Sequence, residues 1–261
     1  HMEDAVLKYA TAQLLTKIED NGKEHYFFFA PEGFTPEYSF DKATLKSGKS
    51  FYAPIPGVKS TFSITTKNGK KVMVTTLTRE QALNTMKVNN RILITRATVL
   101  PEKGKCTLLS LGENRIDYIL YPSRAGWKQQ TIEVDPVSVV ADWKKVGTRR
   151  MTVHIDQPSL PQVNEYFLRV QYVGDVAMAF INGSIVLDHF YYGAPWTIGL
   201  KRFQNELKEH DMNFYFRPLH KNAPYLIDLP HDAIPDFTQR GANCEVKNVE
   251  ILPEYKAIIN F

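Results

Sequence analysis

At 261 residues the chain is long enough for one large β domain or two of ordinary size. Its hydrophobic content of 43% and charged content of 23% are those of a chain that buries a core, which excludes a disordered or fibrous protein. A net charge of +4 is scattered among acidic residues without a basic run, so nucleic acid is not the expected partner, and no apolar stretch approaches the ~18 residues of a membrane helix.

His1-Met2 reads as a remnant of cloning, so the missing signal peptide carries little weight. Cys106 and Cys244 lie far apart and outside any CxxC or Cys/His spacing, so zinc is not expected. Both sit in strand-like runs, where a buried free thiol is the usual state, and a long-range disulfide stays open.

Taken in order, Leu7–Ile18 reads as strand, turns at Glu19-Asp20-Asn21-Gly22, and is answered by Glu24–Ala30. A Gly/Pro loop at Pro31–Pro36 precedes a short strand at Glu37–Asp41. Thr61–Thr66 and Val72–Leu77 flank Lys67-Asn68-Gly69-Lys70, a second Asn-Gly hairpin. Arg79–Val88 has Ala82, Leu83 and Met86 on one side and reads as a short helix. Arg91–Val99, Cys106–Leu111 and Arg115–Leu120 return to strand. Pro122–Gly147 changes character, and a domain boundary is expected near residue 136.

Beyond it, Asn164–Tyr172 begins a new β run that leads to the central feature of the chain. Asp175–Ile181 has the composition of a strand buried on both faces, Asn182-Gly183 supplies a type I′ turn, and Ser184–Leu187 runs back. Asp188, His189, Phe190, Tyr191 and Tyr192 follow, closed by Gly193, Pro195 and Trp196. Lys201–His210 is the best helix candidate, with Phe203 and Leu207 four apart. Met212–Arg217 alternates as a strand, His220–Gly241 is loop-like, and Cys244–Leu252 and Tyr255–Phe261 read as closing strands. The pattern predicts an all-β fold of two β-sandwich or jelly-roll-like domains in series, residues 1–135 and 136–261.

For function, the chain has no GxSxG, no HExxH and no P-loop. Glu165, Asp175 and Asp188 are candidates for the carboxylate pair of a glycosidase, but such residues fall on strand ends by chance far more often. The ring cluster is the sharper signal. Tyr191, Tyr192 and Trp196 are suited to stack on a sugar face while Asp188, His189 or Asn182 bond its hydroxyls; the competing reading is that the rings fill a sandwich corner. Trp196 is expected to be partly exposed and Phe190 to be core. Tyr215, Arg217 and His220 enter a loop where they could line the same site, or Arg217 could pair with a carboxylate at the rim. His154 and His231 have no partner spacing. No metal or cofactor is expected.

Leu7–Asp41 resembles the β domain that follows the catalytic barrel in glycoside hydrolase family 35 β-galactosidases, and Gly174–Phe203, with its Ile-Asn-Gly turn and downstream Trp196, is similar to their carboxyl-terminal jelly rolls. Such enzymes carry their catalytic glutamates on a (β/α)₈ barrel of ~250 residues, of which nothing is seen here. The resemblance therefore implies a non-catalytic β region, with no catalytic residue carried over. It would support a barrel elsewhere in the polypeptide and could bind galactose-containing glycans through the Asp188–Trp196 stretch, in the periplasm or outside the cell. An independent carbohydrate-binding module and a small hydrolase are the alternatives.

Overall fold

The computed structural model describes residues 2, 4–237 and 241–261, so His1, Glu3 and residues 238–240 lie outside it. The fold is all-β and built of β-sandwich-like parts, with one short α-helix among the described residues. The chain divides into two compact units. The first holds residues 1–108, 115–133 and 258–261, and the second holds 109–114 and 134–257.

In the first unit, β1 (Leu7–Ala10), β2 (Gln13–Asp20) and β3 (Lys23–Ala30) open the fold. Asn21 and Gly22 take φ of 51° and 72°, the two left-handed residues of a type I′ turn between β2 and β3. Next come β4 (Tyr38–Phe40), β5 (Leu45–Ser47), β6 (Phe51–Tyr52), β7 (Phe62–Thr66) and β8 (Lys71–Thr78). The turn between β7 and β8 has only Gly69 left-handed, at φ 80°, so this Asn-Gly hairpin closes through a longer loop than a two-residue I′ turn. The sheet order is β2-β3-β8-β7-β5, with β3 and β8 parallel.

The run Tyr26-Phe27-Phe28 is apolar throughout because β3 is covered on both sides. Tyr26 and Phe28 join Tyr38, Phe40, Val72 and Val74 in one cluster, whereas Phe27 joins Ile18, Leu77, Ile92 and Ile94 in another.

The expected helix over Arg79–Val88 is a single turn, α1 (Arg79–Leu83), followed by β9 (Thr85–Val88). Thr78 and Gln81 form a reciprocal capping box, and Asn84 ends the helix. Pairing of Thr85–Val88 with β10 (Arg91–Thr95) then outweighs the helical spacing of Met86. β11 (Thr98–Glu102), β12 (Lys105–Leu111), β13 (Arg115–Tyr121) and β14 (Gln130–Glu133) complete this half.

In the second unit β15 (Asp142–Lys145), β16 (Arg150–His154), β17 (Val163–Val173), β18 (Val176–Ile181), β19 (Ser184–Phe190), β20 (Trp196–Gly199) and β21 (Met212–Phe216) form the body. One sheet has the order β15-β16-β21-β18-β19. After β22 (Leu219–His220) and β23 (Ala242–Asn243), β24 (Glu245–Asn260) is one continuous strand where two were expected. Its Pro253 is accommodated opposite Tyr166 of β17, and β17 pairs on its other side with β20. Val153, Ala177, Ala179, Phe214 and Phe216 of the first sheet pack on Leu168, Val170, Ile198, Val249 and Ile251 of the second.

The expected helix at Lys201–His210 is instead two 3₁₀ turns, Lys201–Phe203 and Glu206–Lys208. A single buried anchor, Leu207, docks the segment, and the Glu165 carboxylate accepts the Lys201 N–H at its entry, so tertiary contacts override the helical spacing. Both cysteines are free thiols, Cys106 buried and Cys244 half-buried.

Candidate functional site

The hairpin at the centre of the second unit forms as its sequence demands. Asn182 and Gly183 take φ of 49° and 78°, and β18 and β19 pair from Ile181–Ser184 back to Val176–Phe190. β19 runs on through Asp188, His189 and Phe190, which places these residues in a strand where a loop was expected. Strand alternation then sorts the cluster to opposite faces.

Inward, His189 stacks on Trp196 with centroids 5.2 Å apart and planes at 10°, and Trp196 meets Phe214 edge-on. Trp196 is only 6% exposed, against the expectation of an open ring. Tyr191 is buried as well, and its hydroxyl donates to the Ala233 carbonyl at 2.7 Å. Tyr172 places its hydroxyl 2.9 Å from His189 Nδ1. Burial pushes the Tyr172 phenol up and the His189 imidazole down, the latter opposed by the Asp188 charge. Tyr172, Tyr191 and Trp196 are core, and His189 is half-buried against them.

Outward, Phe190 is 71% exposed, which corrects its expected place in the core. Asp188 is exposed on the same face, and Tyr192 beyond the strand is also open to solvent. Asn182 sits at the other end of β19, roughly 20 Å away at ~3.3 Å per residue, so it is not part of this cluster. Arg217 pairs with Asp175 at 3.3 Å, and the Tyr225 hydroxyl donates to the same carboxylate. His154 has a partner that sequence spacing does not show: Asp211, at 2.9 Å, which raises the imidazole pKa. His220 and His231 are exposed.

The carboxylates considered for hydrolysis are engaged in different places. Glu165 caps the Lys201 turn and lies opposite Glu254, which accepts from the Asn164 amide; Asp175 holds Arg217; Asp188 stands on the outer face. Among the described residues no group of three or more His, Cys, Asp or Glu side chains could hold a metal ion. No helix among the described residues is long and apolar enough to cross a membrane.

Two features of the second unit remain that could hold a ligand. The first is the outer face of the sheet β15-β16-β21-β18-β19. Register places Asp188, Met178, Tyr215 and Arg150 in one row across four strands, and Phe180, Asn213, Thr152 and Lys144 in the next. Thr152 donates to the Asn213 side-chain oxygen at 2.8 Å, and a hollow of about 400 Å³ is lined by Arg150, Thr152, Phe180, Asn213 and Tyr215. Rings and a thioether therefore lie beside an amide, a hydroxyl and a guanidinium.

The second feature is a cleft of about 700 Å³ beyond His154, where the segment 155–160, the start of β17 and the 3₁₀ turns meet. Tyr166 pins the first segment by donating to the Pro158 carbonyl at 2.8 Å. Gln157, Ser159 and Gln204 line the cleft with amides and a hydroxyl, and the carboxylates of Asp156 and Glu165 are matched by the ammonium groups of Lys201 and Lys208.

Of these residues the sequence alone singles out Tyr215 and Asp188 on the face and, with no site attached to them, Glu165 and His154 of the cleft; it does not point to Asn213, Thr152 or the cleft as a feature. The signal was present in Met212–Phe216 and Arg150–His154, whose strict alternation sends Asn213, Tyr215, Arg150, Thr152 and His154 to one face. A scan against family models and a comparison with curated proteins both return no match.

Proposed function

We propose that this chain is a non-catalytic β region of a glycoside hydrolase of the family 35 type that holds galactose-containing glycans on the outer face of its second unit. The observation that supports this reading is the pair of neighbouring rows in which Met178, Tyr215 and Arg150 lie beside Phe180, Asn213 and Thr152. A pyranose has an apolar CH face and a rim of hydroxyls, and a surface of this composition meets both at once. The reading moves the binding residues away from Tyr191 and Trp196, whose rings are enclosed, and from His189, which is half-buried in the stack on Trp196. It carries with it a catalytic barrel in the same polypeptide as partner, and a site of action in the periplasm or outside the cell.

The test is calorimetric titration with galactose and galactosyl oligosaccharides, with amide NMR shifts recorded in parallel. Saturable binding of the oligosaccharides that is weakened in Tyr215→Ala while the fold is intact supports the reading. Flat titrations across the panel overturn it, and an independent module that binds glucans or mannans instead would be recognised in the same experiment by a wider panel.

A further inference from the structure

The outer face and the cleft meet at His154. Arg150, Thr152 and His154 succeed one another on the same side of β16, and beside them run Tyr215 and Asn213 of β21 and Asp211 just before it. Successive same-side residues are about 6.6 Å apart, so Arg150 to His154 covers roughly 13 Å before the cleft begins. His154 itself lines the cleft, and Thr152 lines the hollow on the face. The side chains between are tied together: Thr152 to Asn213, the Asn213 amide to the Asp211 carbonyl, and Asp211 to His154.

We propose that face and cleft form one track for a single oligosaccharide chain, with the chain's end residue seated in the cleft against Gln157, Ser159 and Gln204. This rests on the glycan-binding reading above and adds where the chain lies and that its end is recognised. At about 700 Å³ between three segments of chain, the cleft has room to take in an end residue whole, whereas the hollow of about 400 Å³ lies on the strands of one sheet and meets the residues that follow from one side. Charge selects the occupant. Arg150 and Lys144 on the face are offset by Asp188 and Asp142, Asp211 is paired with His154 between them, and in the cleft Lys201 and Lys208 are offset by Asp156 and Glu165. Without a surplus of either sign, the track favours a neutral, hydroxyl-rich chain over an anionic one.

The experiment is amide NMR and calorimetry on the full chain with galactose, galactobiose, galactotriose and galactotetraose. Galactose alone shifts the amides of Asp156, Gln157, Ser159 and Gln204. The tetraose also shifts those of Arg150, Thr152, Asn213 and Tyr215, and binds at least about tenfold more tightly than galactose. The double variant Gln157→Ala and Gln204→Ala weakens every ligand about tenfold, the scale of one or two lost hydrogen bonds, whereas Tyr215→Ala weakens only the longer chains. Both glutamines lie near the surface, and circular dichroism checks that the variant is folded. If the tetraose shifts face amides while the cleft is silent, the track is wrong and glycan binding stands. If only the cleft responds, at equal affinity for every chain length, the track is wrong as well. No response anywhere overturns both.

Discussion

His189 stacks on Trp196 at 5.2 Å with nearly parallel planes, and its Nδ1 shares a hydrogen bond with the Tyr172 hydroxyl at 2.9 Å. The imidazole is thus a packing element between two rings of the second core. Replacing Trp196 by Ala removes the largest plate of this stack and is expected to cost about 3–5 kcal/mol, as for other buried aromatic truncations. Phe190→Ser, one strand position from His189 but on the solvent side, is expected to stay within about 0.5 kcal/mol. Urea denaturation of the two variants checks the contrast. Equal losses would mean that Phe190 is covered in solution.

The inversion of these two rings shows what the sequence held and what it hid. The turn residues Asn21-Gly22 and Asn182-Gly183 were legible because only a left-handed pair fits a two-residue hairpin, and both are left-handed in the structure. The all-β character followed from many short β-branched runs. The Asp188–Trp196 stretch was misread because aromatic content suggested a loop, whereas the strand continues to Phe190 and period-2 alternation decides which ring is enclosed. The cleft was not legible at all: its walls come from residues near 156, 165 and 204, which the pairing of β17 with β20 and the Tyr166 hydrogen bond to the Pro158 carbonyl bring together.

Arg217 is a surface partner of Asp175. Its side chain is 59% exposed and that of Asp175 is 16% exposed. Arg217→Ala is therefore expected to cost under about 1 kcal/mol, because solvent screens an exposed guanidinium. Asp175→Ala is expected to cost more, about 1–3 kcal/mol, because the Tyr225 hydroxyl also loses its acceptor. Chemical denaturation of both variants gives the order, and the reverse order would show that the ion pair dominates.

Gly193 closes the ring-bearing stretch with φ of +96°, and a Cβ built on it would lie 2.4 Å from the Ala233 Cβ. Ala233 also supplies the carbonyl that accepts from Tyr191. Gly193→Ala combines a strained backbone with a displaced neighbour, so about 1–3 kcal/mol of stability is expected to be lost. Thermal unfolding checks it, with Gly183→Ala as a comparison that meets no neighbouring atom within 4 Å and carries the φ penalty alone.

In the first unit His25 is fully buried. Its ring stacks on Phe27 at 4.3 Å and meets Tyr121 and Trp127 edge-on, with Nε2 2.7 Å from the Thr75 hydroxyl and Nδ1 without a partner. Burial lowers its pKa from 6.5 to about 4, with the Asp20 charge opposing the shift. The folded state thus refuses a proton that the unfolded chain accepts. The contribution of the neutral ring is fully present above pH 6.5 and is lost as the pH falls through the window down to about 4. At about 1.4 kcal/mol per pKa unit, the loss across that window is about 3 kcal/mol. Urea titrations at intervals from pH 7.5 to 4 measure it, and the ring-proton resonance of His25 reports the group itself. A resonance that titrates near 6.5 in the folded protein would mean that water reaches the ring and that this box is open.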